Sequence, residues 1–275
     1  MDPLVSVNLS TYNSAKTLGE CLESIKKQSY KNIETIIVDN CSIDNTLEIV
    51  KKFATRFFNY GPERSAQRNF GAKNACGRYI LYLDADMVLS KGVITECVEK
   101  CEGNGYAALY IPEKIIGKGF WIKVRDFERA FYNATCIDAV RFVRRDKFLE
   151  IGGFDESLTG PEDWDFDRRI NQVCAVSIIE SPIYHNEQDF NLKRYLDKKA
   201  YYASWFSKYI RKWGRGDQII KKQLGFSYRL FGVFIENGKW KKLTAHPILT
   251  LGMYFLRIMV GLRAAAFYLS KKEVN

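Results

Sequence analysis

Through the first half of the chain, apolar β-branched runs alternate with amphipathic stretches, a pattern that predicts βαβ units around a parallel sheet. Val5 to Leu9 reads as a first strand, after which Asn13 or Ser14 can cap a helix whose apolar positions Leu18, Leu22 and Ile25 recur at helical spacing. Glu34 to Val38 is a second strand, followed by a helix opened by Ser42 or Asp44 and running through Leu47, Val50 and Phe53. Ser65 to Ala75 predicts a third helix, stopped by Gly77, that feeds the apolar run Tyr79 to Leu83. Tyr106 to Ile111, Ala139 to Val143 and Val173 to Ile179 complete the expected sheet.

From Asn191 the period changes. Leu192, Tyr195, Leu196, Tyr202, Phe206, Tyr209 and Trp213 share one broad helical face, with few turn signals between them. The pattern therefore divides the chain into an α/β, doubly wound, mostly parallel domain over 1–189 and a helical C-terminal region over 190–275. Pro247 to Leu269 is almost wholly apolar apart from Arg257 and Arg263. It is long enough to span a bilayer, but each central arginine would cost roughly 2.5–3.5 kcal/mol on insertion scales, so a helix lying in the membrane interface is expected.

Composition adds one asymmetry. The chain of 275 residues is 47% hydrophobic and 14% aromatic, with no low-complexity tract, so an ordered core is expected throughout. Its formal charge of +10 is unevenly placed: residues 1–189 hold 24 Lys and Arg against 28 Asp and Glu, whereas residues 190–275 hold 18 against 4. A basic, aromatic-rich end points to a negatively charged partner, whether nucleic acid, anionic lipid or an acidic substrate. A helical subdomain that simply packs its apolar stripe on the rest accounts for the same residues. Seven cysteines form no CxxC pair and read as reduced thiols, and the strand-like LVSVNLS near the start lacks the features of a signal peptide, so the α/β half is expected to stay in the cytoplasm.

The chemistry begins where the run Tyr79 to Leu83 ends in Asp84-Ala85-Asp86. Open parallel sheets bind ligands at the carboxyl ends of their strands. At a strand end in a parallel sheet alternate residues project to the same side, so both carboxylates can face one divalent cation and the diphosphate and ribose bound to it.

VSVNLSTYN, ETIIVDNCSIDNT, RSAQRNFGAKNACGRYILYLDADM, RRDKFLEIGGFDESL and EDWDFDRR stand in an order and at separations that resemble glycosyltransferase family 2, of GT-A fold, over residues 4–188. The resemblance implies a metal-dependent, inverting transfer of a hexose from a nucleotide sugar. It also implies roles. Thr11, Tyr12 and Asn13 look like the nucleotide-binding loop, and Asp39 resembles the carboxylate that hydrogen-bonds the base, though a turn former before Asn40 would look the same. Ser42, Asp44 and Thr46 fit a helix-capping loop better. Arg64 and Arg68, four apart, resemble residues near the diphosphate, whose charge guanidinium groups suit; an exposed helix face is the alternative. Asp84, Ala85 and Asp86 resemble the metal and donor site, with His185 as a further candidate ligand or an ordinary loop residue, and manganese or magnesium as the ion. His246, before Pro247, reads instead as a helix start.

Asp163 resembles the general base that deprotonates the acceptor, its alternative being a helix-dipole partner, while Asp165 and Arg169, four apart, can brace one another. Similarity to lipid-directed mannosyl- and glucosyltransferases implies GDP-mannose or a UDP-hexose as donor. It also implies a lipid-linked or polyprenyl-phosphate acceptor met at an anionic membrane surface, on the cytoplasmic face, with the enzyme peripheral or monotopic. Three other readings stay open. A soluble transferase acting on a polysaccharide or protein glycan keeps the chemistry; a silent sugar-nucleotide-binding module does not; and a nucleic-acid binder lacks any recognised reader motif.

Overall fold

A computed structural model describes residues 2–53 and 56–273, with side chains as far as Leu269. The side chains of Lys271 and Lys272, counted in the basic end of the sequence, lie outside the described residues. The chain forms two compact units. One comprises the chain up to Lys114, Asp138–Ser157 and Glu162–Asn186; the other comprises Ile115–Ile137, Leu158–Pro161 and the chain from Glu187 onward.

The first unit is built on β1 (Val5–Thr11), β2 (Ile33–Asp39), β3 (Arg56–Asn59) and β4 (Tyr79–Asp84), with α1 (Leu18–Lys26), α2 (Thr46–Phe53) and α3 (Arg64–Asn74) between them. These strands lie parallel in the order β3-β2-β1-β4. β5 (Met87–Leu89) and α4 (Val93–Asn104) follow, then β6 (Ala108–Tyr110) and β7 (Glu113–Ile116), through which the chain enters the second unit. The second unit contributes α5 (Phe120–Arg129); the chain then returns for β8 (Phe142–Arg144), α6 (Arg145–Glu150), α7 (Glu162–Val173), β9 (Val176–Ile178) and β10 (Ile183–Asn186). The full sheet runs β3-β2-β1-β4-β8-β6-β9, β8 lying antiparallel to both neighbours. β10 pairs antiparallel with β5 outside this sheet.

Alternation along β1 explains how the sheet is covered. Val5, Val7 and Leu9 enter one core with Leu18, Leu22, Val93 and Cys97, while Ile36, Val38, Ile80 and Tyr82 enter the other with Ala72, Phe148 and Phe166. The intervening Ser6 and Asn8 of β1 are buried rather than solvated. Asn8 donates to the Arg68 carbonyl at 2.8 Å, and a Cβ at Gly71 would meet its Oδ1 at 2.2 Å, so α3 reaches the sheet only because that position is glycine.

The expected strands are present: β1, β2 and β4 run slightly longer than predicted, while the Tyr106 to Ile111 strand shrinks to β6. The Ala139 to Val143 strand is β8, shifted to Phe142 and antiparallel, and α7 runs through Val173, leaving only Val176–Ile178 extended. β3, β5 and β10 escaped the pattern because runs of three or four residues carry too few alternations to read.

The second unit is more broken than its sequence suggested. α8 (Leu192–Ala203), α9 (Phe206–Trp213) and α10 (Gln218–Leu224) are short, interrupted at Gly214 and restarted by Asp217, whose side chain accepts from the Ile220 amide. A π-helical turn at Tyr228–Gly232, α11 (Val233–Ile235), a 3-10 turn and α12 (Trp240–Ala245) lead to α13 (Pro247–Glu273). Met253 and Leu256 of α13 are buried, and Gly252 lets it press on Val124 and Phe120 of α5. Arg257 pairs with the buried Glu128 of α5 at 2.6 Å and with the Tyr132 hydroxyl, and Arg263 pairs with Asp197 of α8 at 2.7 Å. The outward face of α13 carries Ile248, Leu251, Phe255, Ile258 and Leu262, each more than half exposed.

Candidate active site

The first unit holds all eleven expected donor, metal and base residues at or beside the carboxyl ends of β1, β2 and β4, the region to which an open parallel sheet directs ligands; Tyr12 projects into solvent and Ala85 packs into the core. Thr11 and Asp39 face one another in the β1–β2 register. Asp39 is almost wholly buried and accepts from the Thr11 hydroxyl at 2.6 Å and from the Ser42 amide and hydroxyl at 2.7 and 2.6 Å. Asn13 adopts a left-handed φ of 47°, a conformation that asparagine tolerates, and its side chain accepts from the Ile43 amide at 2.9 Å. These bonds tie the loop after β1 to the loop after β2. Of the three expected capping residues, Asp44 accepts from the Thr46 amide that opens α2, whereas Thr46 itself accepts from the Ser14 amide and Ser42 holds Asp39.

Arg64 and Arg68 lie one turn apart on α3 but have unlike surroundings. Arg64 is about one third exposed; it binds Glu162 and stands 3.9 Å from Asp84. Arg68 is fully buried, its guanidinium 4.9 Å from the Tyr82 ring and 5.0 Å from the Phe154 ring. Its Nη1 donates to Asp163 at 2.7 Å and its Nη2 to Asp84 at 2.8 Å. The expectation that Arg68 meets the diphosphate therefore does not fit its position: both terminal nitrogens are engaged inside the protein.

Arg141, from the segment before β8, adds a third guanidinium and binds Glu113 through Nε at 2.7 Å. Burial alone would raise the Asp84 pKa, but Arg68, Arg64 and Arg141 hold it well below the usual carboxylate range. Burial lowers and the carboxylates raise the arginines, which remain charged. For Glu162 the balance differs: burial and the adjacent Asp163 push it up despite Arg64. Asp163 is the more open of the pair, about a quarter exposed where Glu162 is sealed. Asp165 and Arg169 make the expected brace at 2.8 Å, with Arg169 also donating to the Ile151 carbonyl.

The three expected metal ligands do not converge. Among the described residues, no three His, Cys, Asp or Glu side chains stand close enough to share an ion. The reason is local: β4 stops at Asp84, and Ala85 and Asp86 form a turn before β5, so the strand alternation that would aim both aspartates one way is broken. Ala85 drops into the core, Asp84 faces Arg68, and Asp86 faces His185 of β10, Oδ2 to Nε2 at 3.1 Å. The Asp86 Oδ1 is buried without a hydrogen-bond partner. An oxygen and an imidazole side by side, with one oxygen left over, suit a divalent cation that takes its remaining ligands from a diphosphate.

Arg141 and Glu113 were not anticipated from sequence. A lone arginine in the apolar run Val140 to Val143 was the available signal, since a charge in such a run needs a partner.

Residues 6–156 match the family described as glycosyl transferase family 2, and residues 115–222 match glycosyltransferase like family 2. Among curated proteins, an uncharacterized glycosyltransferase of Rickettsia felis is 35% identical over 44% of this chain and 21% of its own length. The Escherichia coli protein named UDP-Glc:alpha-D-GlcNAc-diphosphoundecaprenol beta-1,3-glucosyltransferase WfaP is 41% identical over 30% of this chain and 35% of its own. The chain thus spans between 21% and 43% of the length of the first curated relatives it matches. Among solved structures, mannosyltransferase PcManGT from Pyrobaculum calidifontis, in complex with GDP-Man and Mn2+, superposes with a TM-score of 0.65 at 18% identity, over 96% of this chain and 88% of that one. The S. aureus protein TarS, residues 1-349 with UDP-GlcNAc, gives 0.59 at 18% identity, over 99% and 92%.

Proposed function

Because the chain belongs to glycosyl transferase family 2 and has its GT-A fold, we propose that it transfers a hexose from a nucleotide sugar to a lipid-linked acceptor, with inversion at the anomeric carbon. One observation carries this reading: the Thr11–Asp39 loop pair, the Asp86–His185 pair and the partly open Asp163 carboxylate all belong to the strand-end region of a single unit. Thr11, Tyr12, Asn13 and Asp39 hold the nucleoside. Arg64, the more accessible guanidinium, offsets charge on the diphosphate as it departs. Asp86 and His185 would hold manganese or magnesium, which when bound would offset charge on the diphosphate, and Asp84 shapes the site through the arginines. Asp163 accepts the proton of an acceptor hydroxyl, whose oxygen bonds to the anomeric carbon from the face opposite the breaking bond to diphosphate.

The donor is GDP-mannose or a UDP-hexose, a choice that the GDP-Man complex of the Pyrobaculum protein and the UDP-Glc in the name of the E. coli relative support on either side. That relative's diphosphoundecaprenol acceptor, and the apolar outer face of α13 in a strongly basic region, support a membrane-presented acceptor. α13 is long and apolar enough to cross a membrane. Its Arg257 anchor to α5 supports a peripheral or monotopic seat, with that face in the headgroup region, and seven free thiols suit the cytoplasmic side.

A thermal-shift panel of nucleotide sugars, with and without manganese, tests this directly. The true donor at a hundredfold over its Kd stabilises by about 2.7 kcal/mol, and Asp86→Asn removes the manganese requirement along with most of the shift. Transfer from that donor to polyprenyl-diphosphate-linked GlcNAc is then assayed. Should no donor bind, or a bound donor be neither transferred nor hydrolysed, the enzyme reading fails.

A further inference from the structure

The deepest charge in the site is the Arg68 guanidinium, and its surroundings differ from those of a phosphate-binding arginine. It is fully buried, set against the Tyr82 and Phe154 rings, which pack edge to face on one another, and divides its two terminal nitrogens between carboxylates from two different elements. A guanidinium is a rigid planar fork, so the positions of its two partners are fixed relative to one another. One partner, Asp84, closes β4; the other, Asp163, sits in the first turn of α7. A side chain of α3 therefore sets where the α7 carboxylate stands against the sheet. Nothing in this arrangement needs a ligand: the rings and both acids are supplied by the first unit itself.

The geometry points to Arg68 as a positioning residue that orients Asp163 as proton acceptor, leaving donor diphosphate to Arg64. This rests on Asp163 being the base, as read above. Two kinetic signatures follow. Arg68 acts on turnover and not on donor affinity, because it lies behind the acids. It also acts through Asp163, so its loss is invisible once that carboxylate is gone.

The test is a double-mutant cycle of Arg68→Met and Asp163→Asn, with GDP-mannose and UDP-glucose as donors and polyprenyl-diphosphate-linked GlcNAc as acceptor. Arg68→Met is expected to lower kcat by about a hundredfold, the scale of a misplacement near 1 Å, with donor KM within about twofold. Asp163→Asn is expected to lower kcat by roughly 10²–10⁴-fold, and the double variant no further. Arg64→Met, in parallel, raises donor KM. If Arg68→Met does not fold, Arg68→Lys serves: a single ammonium cannot hold both acids, so kcat still falls while donor-induced thermal stabilisation persists. A rise in donor KM at unchanged kcat, or multiplicative losses in the double variant, overturns the positioning role while leaving the transferase reading intact. Full activity of Asp163→Asn removes the base assignment, and the positioning role with it.

Discussion

Each of the two units buries an arginine against aromatic rings, and the two are used in opposite ways. Arg68 in the first unit and Arg257 in the second both sit 4.9 Å from an aromatic ring, Tyr82 and Phe234 respectively. Arg257 is closed off by the buried Glu128, the Tyr132 hydroxyl and the Arg229 carbonyl, so its pair ends inside the unit. Arg68 leads outward, since Asp84 and Asp163 each keep between a fifth and a quarter of their side chains exposed. A buried guanidinium is thus a clasp when its partners are sealed and part of a site when they reach the surface. Burial of the arginine alone distinguishes nothing; the exposure of its partners does.

The contrast can be broken first at Arg257. Replacing it by methionine leaves the buried Glu128 with the Tyr132 hydroxyl but without its ion-pair partner, and should cost about 3–5 kcal/mol in urea unfolding while donor-induced stabilisation is unchanged. A cost below 1 kcal/mol, or an altered donor response, would show that the clasp and the site are not separate. Next comes the outer face of α13. Leu251 is 72% exposed, so Leu251→Glu should leave stability nearly unchanged yet weaken binding to phosphatidylglycerol vesicles about tenfold, in line with the roughly 1.5–3 kcal/mol of burying such a side chain. Equal vesicle binding by both proteins would remove the membrane role of this face.

The smallest effect is expected where a buried acid has no guanidinium in contact. Asp167, set near Tyr110, Asn171 and the Asp138 carboxylate, is pushed up to about 7 by burial and by Asp138, opposite to Asp84. Its folded pKa exceeds the unfolded value near 4, so the native state binds the extra proton between about pH 4 and 7, and stability falls as pH rises through that window. Asp167→Asn should flatten this slope, gaining on the order of 1 kcal/mol at pH 8 relative to pH 5 in paired unfolding curves. An unchanged slope would place its origin elsewhere. For Asp84 the sign reverses. Its stabilisation is present above the unfolded carboxylate pKa and is lost as pH falls through its own depressed value.

How far these features were legible depended on the distance over which each is decided. Strand β1 follows from local alternation and β2 and β4 from short apolar runs, the Asp84 strand end from such a run stopping, and the Asp165–Arg169 brace from helical spacing within one element. Short strands such as β5 and β10 left too little period to see, although β10 is what delivers His185 to Asp86.

What the amino-acid order settled by itself was the longer strands and helices of the first unit, the family and the cluster of loops in which the chemistry stands, because backbone period and chain connectivity act over a few residues. What only the tertiary structure decided was the partner of each charge. Arg68 reaches Asp163 across 95 positions, Arg257 reaches Glu128 across 129, and a two-residue turn parts Asp84 from Asp86. A buried charge must be paired wherever packing puts it, and packing is a property of the whole core.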